Sequence, residues 1–501
     1  MLRFRVPVGA ALMALALTAC GSTVQPSTAS APGNGNGNGL GLPASPGAPG
    51  AVGVPSQGPL GGTGPGGGVP GPGTAGTTGG GTSGSTGGTQ ATSVPASTQP
   101  KTGPLQIGVL DASSPGAAAS ATGASNPAGV DPVQVTKGFI SYYNAHGGMA
   151  GRKLQPVEYT IDPTSSSYES DLSSACAKFT QDNHVKVVAS QTGNIFSSNY
   201  EGCLAKKGVT NLEVGNGAPD AKDVRSFPQL FTTASPTVDR RITAQLRGLS
   251  QKGLLTRQTP LGVIVEDCPE GTRAYANTLA PLARSLGLTV QRRDVDCVSG
   301  FSDAGAFFAQ VGSAVLPFRS AGVARVLFIT SFEVAALQAF ENQAQAQGWK
   351  PTYALSSLAL TAANAGQYTA DALQRMAGVG WIPVVDTTGI PHSAATKRCD
   401  AIAGAEGITV ASQADYAFVY QICDLFAVLN ASLVAARGHE EASLLPAGVA
   451  TAMRSFESAY VLAGRLTLTR DQHDAPPVFS VFAYQQQCAC FRYSTTPARL
   501  A

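Results

Sequence analysis

The sequence predicts an α/β protein with two lobes, each a parallel sheet flanked by helices. Short apolar runs typical of buried strands alternate with longer segments whose apolar residues recur every three to four positions. This alternation stops and starts again about midway along the folded part of the chain. The folded part runs from about residue 104 to the end, about 400 residues, which exceeds one usual hydrophobic core.

The first half alternates strands with helices. The run LQIGVL, residues 105–110, predicts a buried strand. DPVQVTKGFISYYNAHGG predicts a helix with Val135 and Phe139 on one face and Gly147-Gly148 at its end. LQPVEYTI, VKVVAS and TNLEVG predict further strands, separated by the helical segments SYESDLSSACAKFTQDN and SSNYEGCLAKKG.

The second half repeats the pattern. LGVIVE, LTVQRRDV, ARVLFIT and PTYALSS predict strands, and GTRAYANTLAPLARSLG, DAGAFFAQVGSAVLPFRSAG and SFEVAALQAFENQAQAQG predict the helices between them. In parallel sheets of this kind, ligands bind in the crevice beyond the carboxyl ends of the strands. We therefore expect a binding cleft between the two lobes.

The N-terminus predicts export. Arg3 and Arg5 precede a short apolar stretch, which is typical of a secretory signal and too short for a transmembrane helix of roughly 20 residues. LTAC followed by glycine resembles the bacterial lipobox. That resemblance implies removal of residues 1–19, acylation of Cys20 with fatty acids such as palmitate, and attachment to the extracytoplasmic face of the cell membrane. An ordinary signal peptide with a chance cysteine is the alternative.

Residues 20–103 are almost wholly small and polar, with no charged residue between Val6 and Pro100. Such a segment buries too little apolar surface to offset chain entropy, so we expect a disordered tether. The glycines lack the three-residue period of collagen. The formal net charge is +2 with no basic cluster, which argues against a nucleic-acid partner.

Eight of the nine cysteines follow Cys20, and an even number in an exported domain indicates disulfides. Pairing of sequence neighbours gives Cys176–Cys203, Cys268–Cys297 and Cys399–Cys423. It leaves Cys488 and Cys490, whose pairing stays open because alternate residues of an extended strand lie about 6.5 Å apart. The five histidines are scattered and no C-x-x-C motif occurs, so we expect no metal and no cofactor.

The segment YYNAHGGMAGRKLQPVEYTID resembles a signature of type I periplasmic substrate-binding proteins, the leucine/isoleucine/valine-type receptors of ABC transporters. ACAKFTQDNHVKVVAS and GRLTLTRDQHDAPPVFSVFAY resemble two later segments of the same family, so the resemblance spans residues 104–495. It implies the type I periplasmic-binding-protein fold, a small-molecule ligand, an ABC permease as partner and a disulfide between Cys176 and Cys203.

The resemblance also implies a division of the chain. A signal peptide occupies residues 1–19 and a tether residues 20–103. The first lobe takes 104–236 and the returning segment 358–465, and the second lobe takes 237–357 and the closing segment 466–501.

In this family the ligand contacts come from the loops after the strands. Carried over to this sequence, they give a first-lobe set of Ser113, Thr192, Gly193, Asn194, Asn216 and Gly217. The second-lobe set is Glu266, Asp267, Glu270, Ser331, Phe332 and Ser357. Residues of these types also serve as helix caps and turn formers. The family's D-x-x-Y-G pattern is replaced by DCPEG at 267–271, so the ligand class stays open among amino acids, amides and related polar solutes.

These features together predict a lipid-anchored solute-binding protein of an ABC importer. The alternative is the same binding fold used as a sensor or envelope scaffold without coupling to transport. The sequence contains no G-x-S-x-G, H-E-x-x-H or P-loop motif, so we do not expect an enzyme.

Overall fold

The computed structural model describes residues 95, 98–113, 129–162, 164–191, 196–215, 217 and 219–500. All of them belong to one compact unit of the chain, Thr86–Ala501. The predicted signal peptide, the lipidation residue Cys20 and nearly all of the predicted tether lie outside the described residues.

Five parallel strands form the first sheet, in the order β2-β1-β3-β4-β5. Their bounds are β1 Leu105–Ala112, β2 Leu154–Ile161, β3 Val187–Ser190, β4 Thr210–Glu213 and β5 Leu230–Thr232. This sheet and the helices packed on it are called the first lobe.

The second sheet has eight strands in the order β12-β11-β10-β9-β8-β6-β7, with β13 paired to β11. Their bounds are β6 Leu261–Glu266, β7 Val290–Val295, β8 Arg325–Ile329, β9 Thr352–Ser356, β10 Met376–Gly380, β11 Val478–Gln485, β12 Cys490–Tyr493 and β13 Ala498–Arg499. Strands β6 to β10 are parallel, and β11 runs antiparallel to them. This sheet and its helices are called the second lobe.

Helices connect the strands in both lobes. In chain order they are α1 Pro132–Ala145, α2 Tyr168–Ala177, α3 Ser198–Lys206, α4 Ala221–Ser226, α5 Val238–Gln251, α6 Pro269–Ala274, α7 Ala280–Ser285, α8 Ala304–Ser313, α9 Val315–Ser320, α10 Glu333–Ala346, α11 Ala370–Gln374, α12 Pro383–Asp386, α13 Ala394–Ala405, α14 Gln413–Ala435 and α15 Leu445–Ala452. Turns of π-helix at Lys178–Asp182 and Tyr275–Leu279 extend α2 and α6. Two sheets flanked by helices confirm the predicted fold class.

The ends of α1 show how local sequence sets an element. Asp131 caps its N-terminus by accepting a hydrogen bond from the backbone of Val133 at 2.9 Å, and Pro132 occupies the first helical position. After the helix, Gly148 has φ +83°, and a Cβ there would collide with the carbonyl of Arg152. Glycine is therefore required in the turn that leads into β2, as the sequence pattern predicts.

Strand β1 separates two hydrophobic clusters. Leu105, Ile107 and Val109 face a cluster built with α1, α13 and α14. Leu110 and Ala112 face a second cluster built with α2 and α3, which continues into helices of the second lobe. Because side chains alternate across a strand, both faces of the first sheet are buried.

Helix α14 is 23 residues long and apolar enough to cross a membrane by length and composition, and it is the one such helix among the described residues. Two-thirds of its most apolar window is buried inside the protein. Val419, Phe426 and Leu433 pack into the first cluster, so α14 is the central helix of the first lobe.

The chain passes between the two sheets three times, around residues 233–237, 381–393 and 467–477. The indole N–H of Trp381 donates to the carbonyl of Ala234 at 3.1 Å, which joins the first and second crossings. Asp474 accepts a hydrogen bond from the backbone of Thr237 at 2.6 Å and pairs with Arg240 at 2.5 Å, which joins the first and third. The crossings thus form one connected bundle.

One strand lies elsewhere than expected. The sequence analysis assigns all of 358–465 to the first lobe, yet β10 lies in the second sheet, between β9 and β11. Its sequence MAGVG carries two glycines and no strand-like alternation. Gly378 is needed there because a Cβ would lie 2.7 Å from the carbonyl oxygen of Leu355. The other lobe boundaries stay predictions.

The start of the described chain is fastened to the first lobe. Lys101 forms ion pairs with Glu440 at 2.8 Å and Glu441 at 2.5 Å. Arg152 pairs with Glu440 at 2.6 Å and donates to the carbonyls of Gly103 and Pro104 at 3.0 and 2.7 Å. These contacts fix the point at which the chain enters β1.

Candidate functional site

A small cavity with charged, polar and apolar lining residues lies beyond the carboxyl ends of two adjacent strands of the second sheet. Strand β6 ends at Glu266 and β8 ends at Ile329, and the residues that follow both strands line the cavity. The lining residues are Val238, Arg241, Glu266, Cys268, Glu270, Gly271, Ile329, Thr330 and Ser331. Its volume is about 20 Å³, room for about one water molecule.

Glu266 is buried and ties together the loops around the cavity. One carboxylate oxygen accepts from the backbone N–H of Val298 at 2.9 Å, and the other accepts from Ser331 at 2.6 Å. Burial raises the pKa of Glu266, and these two hydrogen bonds partly oppose that rise. Glu266 therefore holds the loops after β7 and β8 in place.

Glu270 stands in the first turn of α6 and also lines the cavity. Burial raises its pKa to about 7, and the negative charges of Asp223 and Glu266 add to the rise. Near neutral pH this carboxyl group is present in both its neutral and its charged forms. The carboxyl group of Glu270 can therefore accept a hydrogen bond from the ligand in either form and donate one in its neutral form.

Arg241 is the cation of the cavity. It lies on α5 and is 3% exposed, among the apolar residues Val238, Ile242 and Leu246 of the same helix. Its Nε atom is buried without a hydrogen-bond partner. Burial lowers the pKa of Arg241, and the charges of Glu333 and Glu266 oppose that effect.

Behind the cavity, Glu333 begins α10 and is fully buried. Its carboxylate accepts from the backbone N–H of Ser356 at 2.7 Å and from the hydroxyl of the same residue. Burial raises the pKa of Glu333, and Arg241 opposes that rise. Both carboxylates near the guanidinium are thus already hydrogen-bonded to other groups.

Ion pairs join the two lobes beside the cavity. Arg273, on α6 of the second lobe, donates to the carboxylates of Asp220 and Asp223, the latter at 2.7 Å. Asp220 also caps α4 of the first lobe by accepting from the backbones of Lys222 and Asp223. Burial raises the pKa of Asp220, but the hydrogen bonds from Arg273 and Asp223 outweigh it and leave the pKa below its usual range.

Solved structures similar to this one are solute-binding proteins of ABC transporters. A substrate-binding protein from Desulfitobacterium hafniense in complex with leucine is 14% identical, with a TM-score of 0.52 over 78% of this chain and 100% of that one. A solute-binding protein from Rhodopseudomonas palustris in complex with 3,4-dihydroxybenzoic acid is 12% identical, with a TM-score of 0.56 over 80% and 98%. A branched-chain amino acid ABC transporter protein from Thermus thermophilus with bound valine is 11% identical, with a TM-score of 0.54 over 79% and 97%.

This chain has the type I periplasmic-binding-protein fold. The likeness extends over nearly the whole of each of these proteins, and it confirms the fold expected from the sequence resemblance. No protein-family model matches the sequence, and no curated protein sequence is significantly similar to it.

The periplasmic-binding-protein fold brings part of the predicted ligand set together. Glu266, Glu270 and Ser331 line the cavity. Asp267 is exposed and accepts from the hydroxyl of Thr272 at 2.9 Å, outside the cavity lining. Phe332 is buried in the hydrophobic cluster between the lobes. The role of each residue in binding stays a prediction.

Ser357 lies at the end of the second sheet rather than in the cavity lining. Its hydroxyl donates to Asp386 at 2.9 Å and accepts from the backbone N–H of Trp381 at 2.8 Å. The hydroxyl therefore serves the second crossing between the lobes.

In the first lobe, Ser113 is half-buried at the end of β1 and its backbone donates to Ile161 at 2.8 Å. Gly217 is buried in the loop after β4. Thr192, Gly193, Asn194 and Asn216 lie outside the described residues.

Arg241 was missed by the sequence analysis. The available signal is an arginine within the apolar face of a helix, since Val238, Ile242, Gln245 and Leu249 on that face are all buried. A charge on a buried face needs a partner, and that requirement alone would have marked the residue.

The cysteines form four disulfides. Cys176–Cys203 joins α2 to α3, Cys399–Cys423 joins α13 to α14, and Cys268–Cys297 joins the start of α6 to the loop after β7. Cys488 and Cys490 are also bonded, with Cα atoms 5.1 Å apart. Ala489 between them has φ +49°, so they occupy a turn rather than the extended strand on which the sequence analysis left the pairing open.

Glu266, Cys268 and Cys297 bring three possible metal-ligand atoms within 4.8 Å of one another. Both sulfur atoms are bonded to each other in the disulfide, so neither is available as a thiolate ligand. This group of residues is better explained as a support for the cavity wall.

Proposed function

We propose that this protein is a lipid-anchored, extracytoplasmic solute-binding protein that captures a small polar molecule between its lobes and delivers it to an ABC importer. One observation carries the proposal: a chain with the periplasmic-binding-protein fold has a cavity lined by charged and polar residues at the carboxyl ends of β6 and β8, the end of a parallel sheet at which ligands bind. The lipobox-like sequence and the eight disulfide-bonded cysteines support export.

The proposed mechanism is closure of the lobes around the solute. The three crossings act as the hinge, and the solute favours the closed state by its greater affinity for that state. The cavity of about 20 Å³ has to widen for a solute to enter. Opening therefore requires separation of Arg273 from Asp220 and Asp223.

Thermal unfolding of the full chain tests solute binding. The panel contains amino acids, amides, polyamines, aromatic acids and dicarboxylates. A solute present at 100 times its Kd stabilises the protein by about 2.7 kcal/mol, so a true ligand raises the melting temperature measurably. A melting temperature unchanged by every compound would contradict the proposal, and so would chemical turnover of the bound compound.

Lipid anchoring is tested by Cys20→Ser. We expect the wild-type protein in the membrane fraction, with the mass of an acylated N-terminal cysteine. The variant should lack that mass and leave the membrane fraction, because the attached acyl chains supply the membrane affinity. Equal distribution of the two proteins would exclude the anchor and leave the solute-binding proposal standing.

The second candidate is a sensor or envelope scaffold with the same fold but no importer. The ion pairs of Arg273 with Asp220 and Asp223 favour it, because they join the lobes through the protein's own side chains. Uptake of an identified ligand by cells with and without this gene separates the candidates. Loss of uptake supports the importer, and unchanged uptake with intact binding supports the sensor or scaffold.

A further inference from the structure

Arg241 is a buried cation without a direct partner. It is 3% exposed and lines the cavity, and its Nε atom is buried without a hydrogen-bond partner. Its backbone N–H donates to Thr237, but its side chain forms no hydrogen bond or ion pair among the described residues. Its neighbour Arg240 differs in this respect, since it pairs with Asp474 and donates to the carbonyls of Pro476 and Leu500. Two adjacent arginines on one helix therefore have opposite surroundings.

The nearby acids do not satisfy the guanidinium. Glu266 and Glu333 act on Arg241 through their charge, but their oxygens accept hydrogen bonds from Val298, Ser331 and Ser356. An arginine stays protonated in proteins and carries five N–H donors. The charges of Glu266 and Glu333 balance that of the guanidinium, but a buried guanidinium also needs hydrogen-bond acceptors, and a ligand in the cavity can supply them.

We propose that Arg241 is an anion-binding residue of the cleft and that the ligand presents a carboxylate to the second lobe. This inference rests on the proposed solute-binding function. A carboxylate matches the planar guanidinium with two parallel hydrogen bonds. The sequence resemblance implies that hydroxyl and backbone N–H groups of first-lobe loops bind a polar or anionic group of the ligand. Arg241 lies in the second lobe, so the proposed site is a different one.

Matched acids and amides test the ligand class on the full chain. L-Leucine, 4-hydroxybenzoate and succinate are each compared with the corresponding amide by calorimetry. At least one acid should bind, and its amide should bind about 100-fold more weakly or not at all, because the amide lacks the charge that pairs with Arg241. Arg241→Met should reduce binding of that acid by a similar factor, and Arg241→Lys by about 10-fold, because lysine keeps the charge but loses the paired geometry.

The stability of the ligand-free variants provides a second measurement that needs no ligand. Arg241→Met should melt somewhat lower than wild type but still unfold cooperatively, because it leaves the buried Glu266 and Glu333 without the nearby positive charge. Arg247→Met is the matched control on the same helix. Arg247 is exposed, so this variant should melt and bind the acid as wild type does.

The outcomes separate this inference from the proposed function. Equal binding of acid and amide, or unchanged binding of the acid by Arg241→Met, would overturn the carboxylate site and leave solute binding intact. Failure of every acid to bind would overturn the carboxylate site, and failure of the whole solute panel would overturn the proposed function as well.

Discussion

Arg273 of the second lobe reaches across to Asp220, the residue that caps helix α4 of the first lobe. The same guanidinium also contacts Asp223 in the first turn of that helix. A single side chain thus connects the start of a first-lobe helix with the helix that carries Glu270 of the cavity. Separation of the lobes and exposure of the cavity wall are therefore coupled through one residue.

Replacement of Arg273 should destabilise the protein. Arg273→Gln removes the partner of Asp220, whose side chain is 3% exposed, and leaves its charge buried. We expect a loss of about 1–3 kcal/mol in the free energy of unfolding, measured by urea denaturation. The exposed Arg284 near the end of α7 offers a control, since Arg284→Gln should change stability by less than about 0.5 kcal/mol. Equal effects of the two substitutions would show that the pair contributes nothing.

Asp386 should make the protein less stable as pH rises. Its carboxyl accepts hydrogen bonds from Ser357, Ile382 and Tyr493, and burial raises its pKa from 3.8 to about 7. The folded protein therefore keeps this proton between about pH 4 and 7, where the unfolded chain loses it. By linkage, the contribution of Asp386 to the free energy of unfolding is therefore largest below about pH 4 and declines as the pH rises to about 7.

The test is denaturation at several pH values. The decline attributable to Asp386 is of the order of 2–4 kcal/mol, and Asp386→Asn should remove it because the amide does not titrate. Asp471 is exposed, so Asp471→Asn should keep the wild-type profile. An unchanged profile in Asp386→Asn would rule out this carboxyl as the source.

Glu270 should make carboxylate binding pH-dependent. Its pKa is about 7, and the groups that act on it are Asp223 of α4, Glu266 of β6 and Arg273 of its own helix. Below pH 7 the neutral form does not repel a ligand carboxylate held by Arg241, whereas the charged form does. Affinity for the acid should fall about 10-fold between pH 6 and pH 8, measured by calorimetry.

Glu270→Gln supplies the control, because it should bind the acid with nearly constant affinity over this range. The opposite trend, with binding stronger at pH 8 and weakened by Glu270→Gln, would show that Glu270 holds a cationic group of the ligand instead. The measurement thus defines the charge of the ligand at this end of the cavity.

The Cys268–Cys297 disulfide should support both stability and binding. It closes a loop of 29 residues, for which the entropy model gives about 3–4 kcal/mol. The bridge also holds a lining residue beside Val298, which donates to Glu266. The double variant Cys268→Ala/Cys297→Ala should melt lower and bind its ligand more weakly.

The Cys488–Cys490 bridge provides the matched comparison. It spans a sequence separation of only 2 and lies in the turn between β11 and β12. Removal of this pair should cost less than half as much stability and leave binding unchanged. Similar losses in both double variants would mean that loop length and proximity to the cavity do not determine the effect.

Much of the fold was predictable because most strands of the two sheets, such as β1, β6 and β8, are buried and carry a run of apolar residues. The place of strand β10 in the second sheet was not predicted, because Gly378 is required by close packing against Leu355. Close packing between distant segments leaves no periodic pattern in the sequence. Glu266, Glu270 and Ser331 were predicted because the family resemblance implies ligand contacts from the loops after the strands. The sequence signal for Arg241 was an arginine on the buried face of a helix, but its lack of a hydrogen-bond partner is a property of the folded surroundings.

Lys101 forms ion pairs with Glu440 and Glu441, and Arg152 donates hydrogen bonds to the carbonyls of Gly103 and Pro104. These contacts have a mechanical consequence. Any pull transmitted along the chain from its N-terminal side enters the molecule at this clamp and is borne by β1 and the helices of the first lobe. Such a load would reach the second lobe only through the crossings and the contacts between the lobes, among them the ion pairs of Arg273.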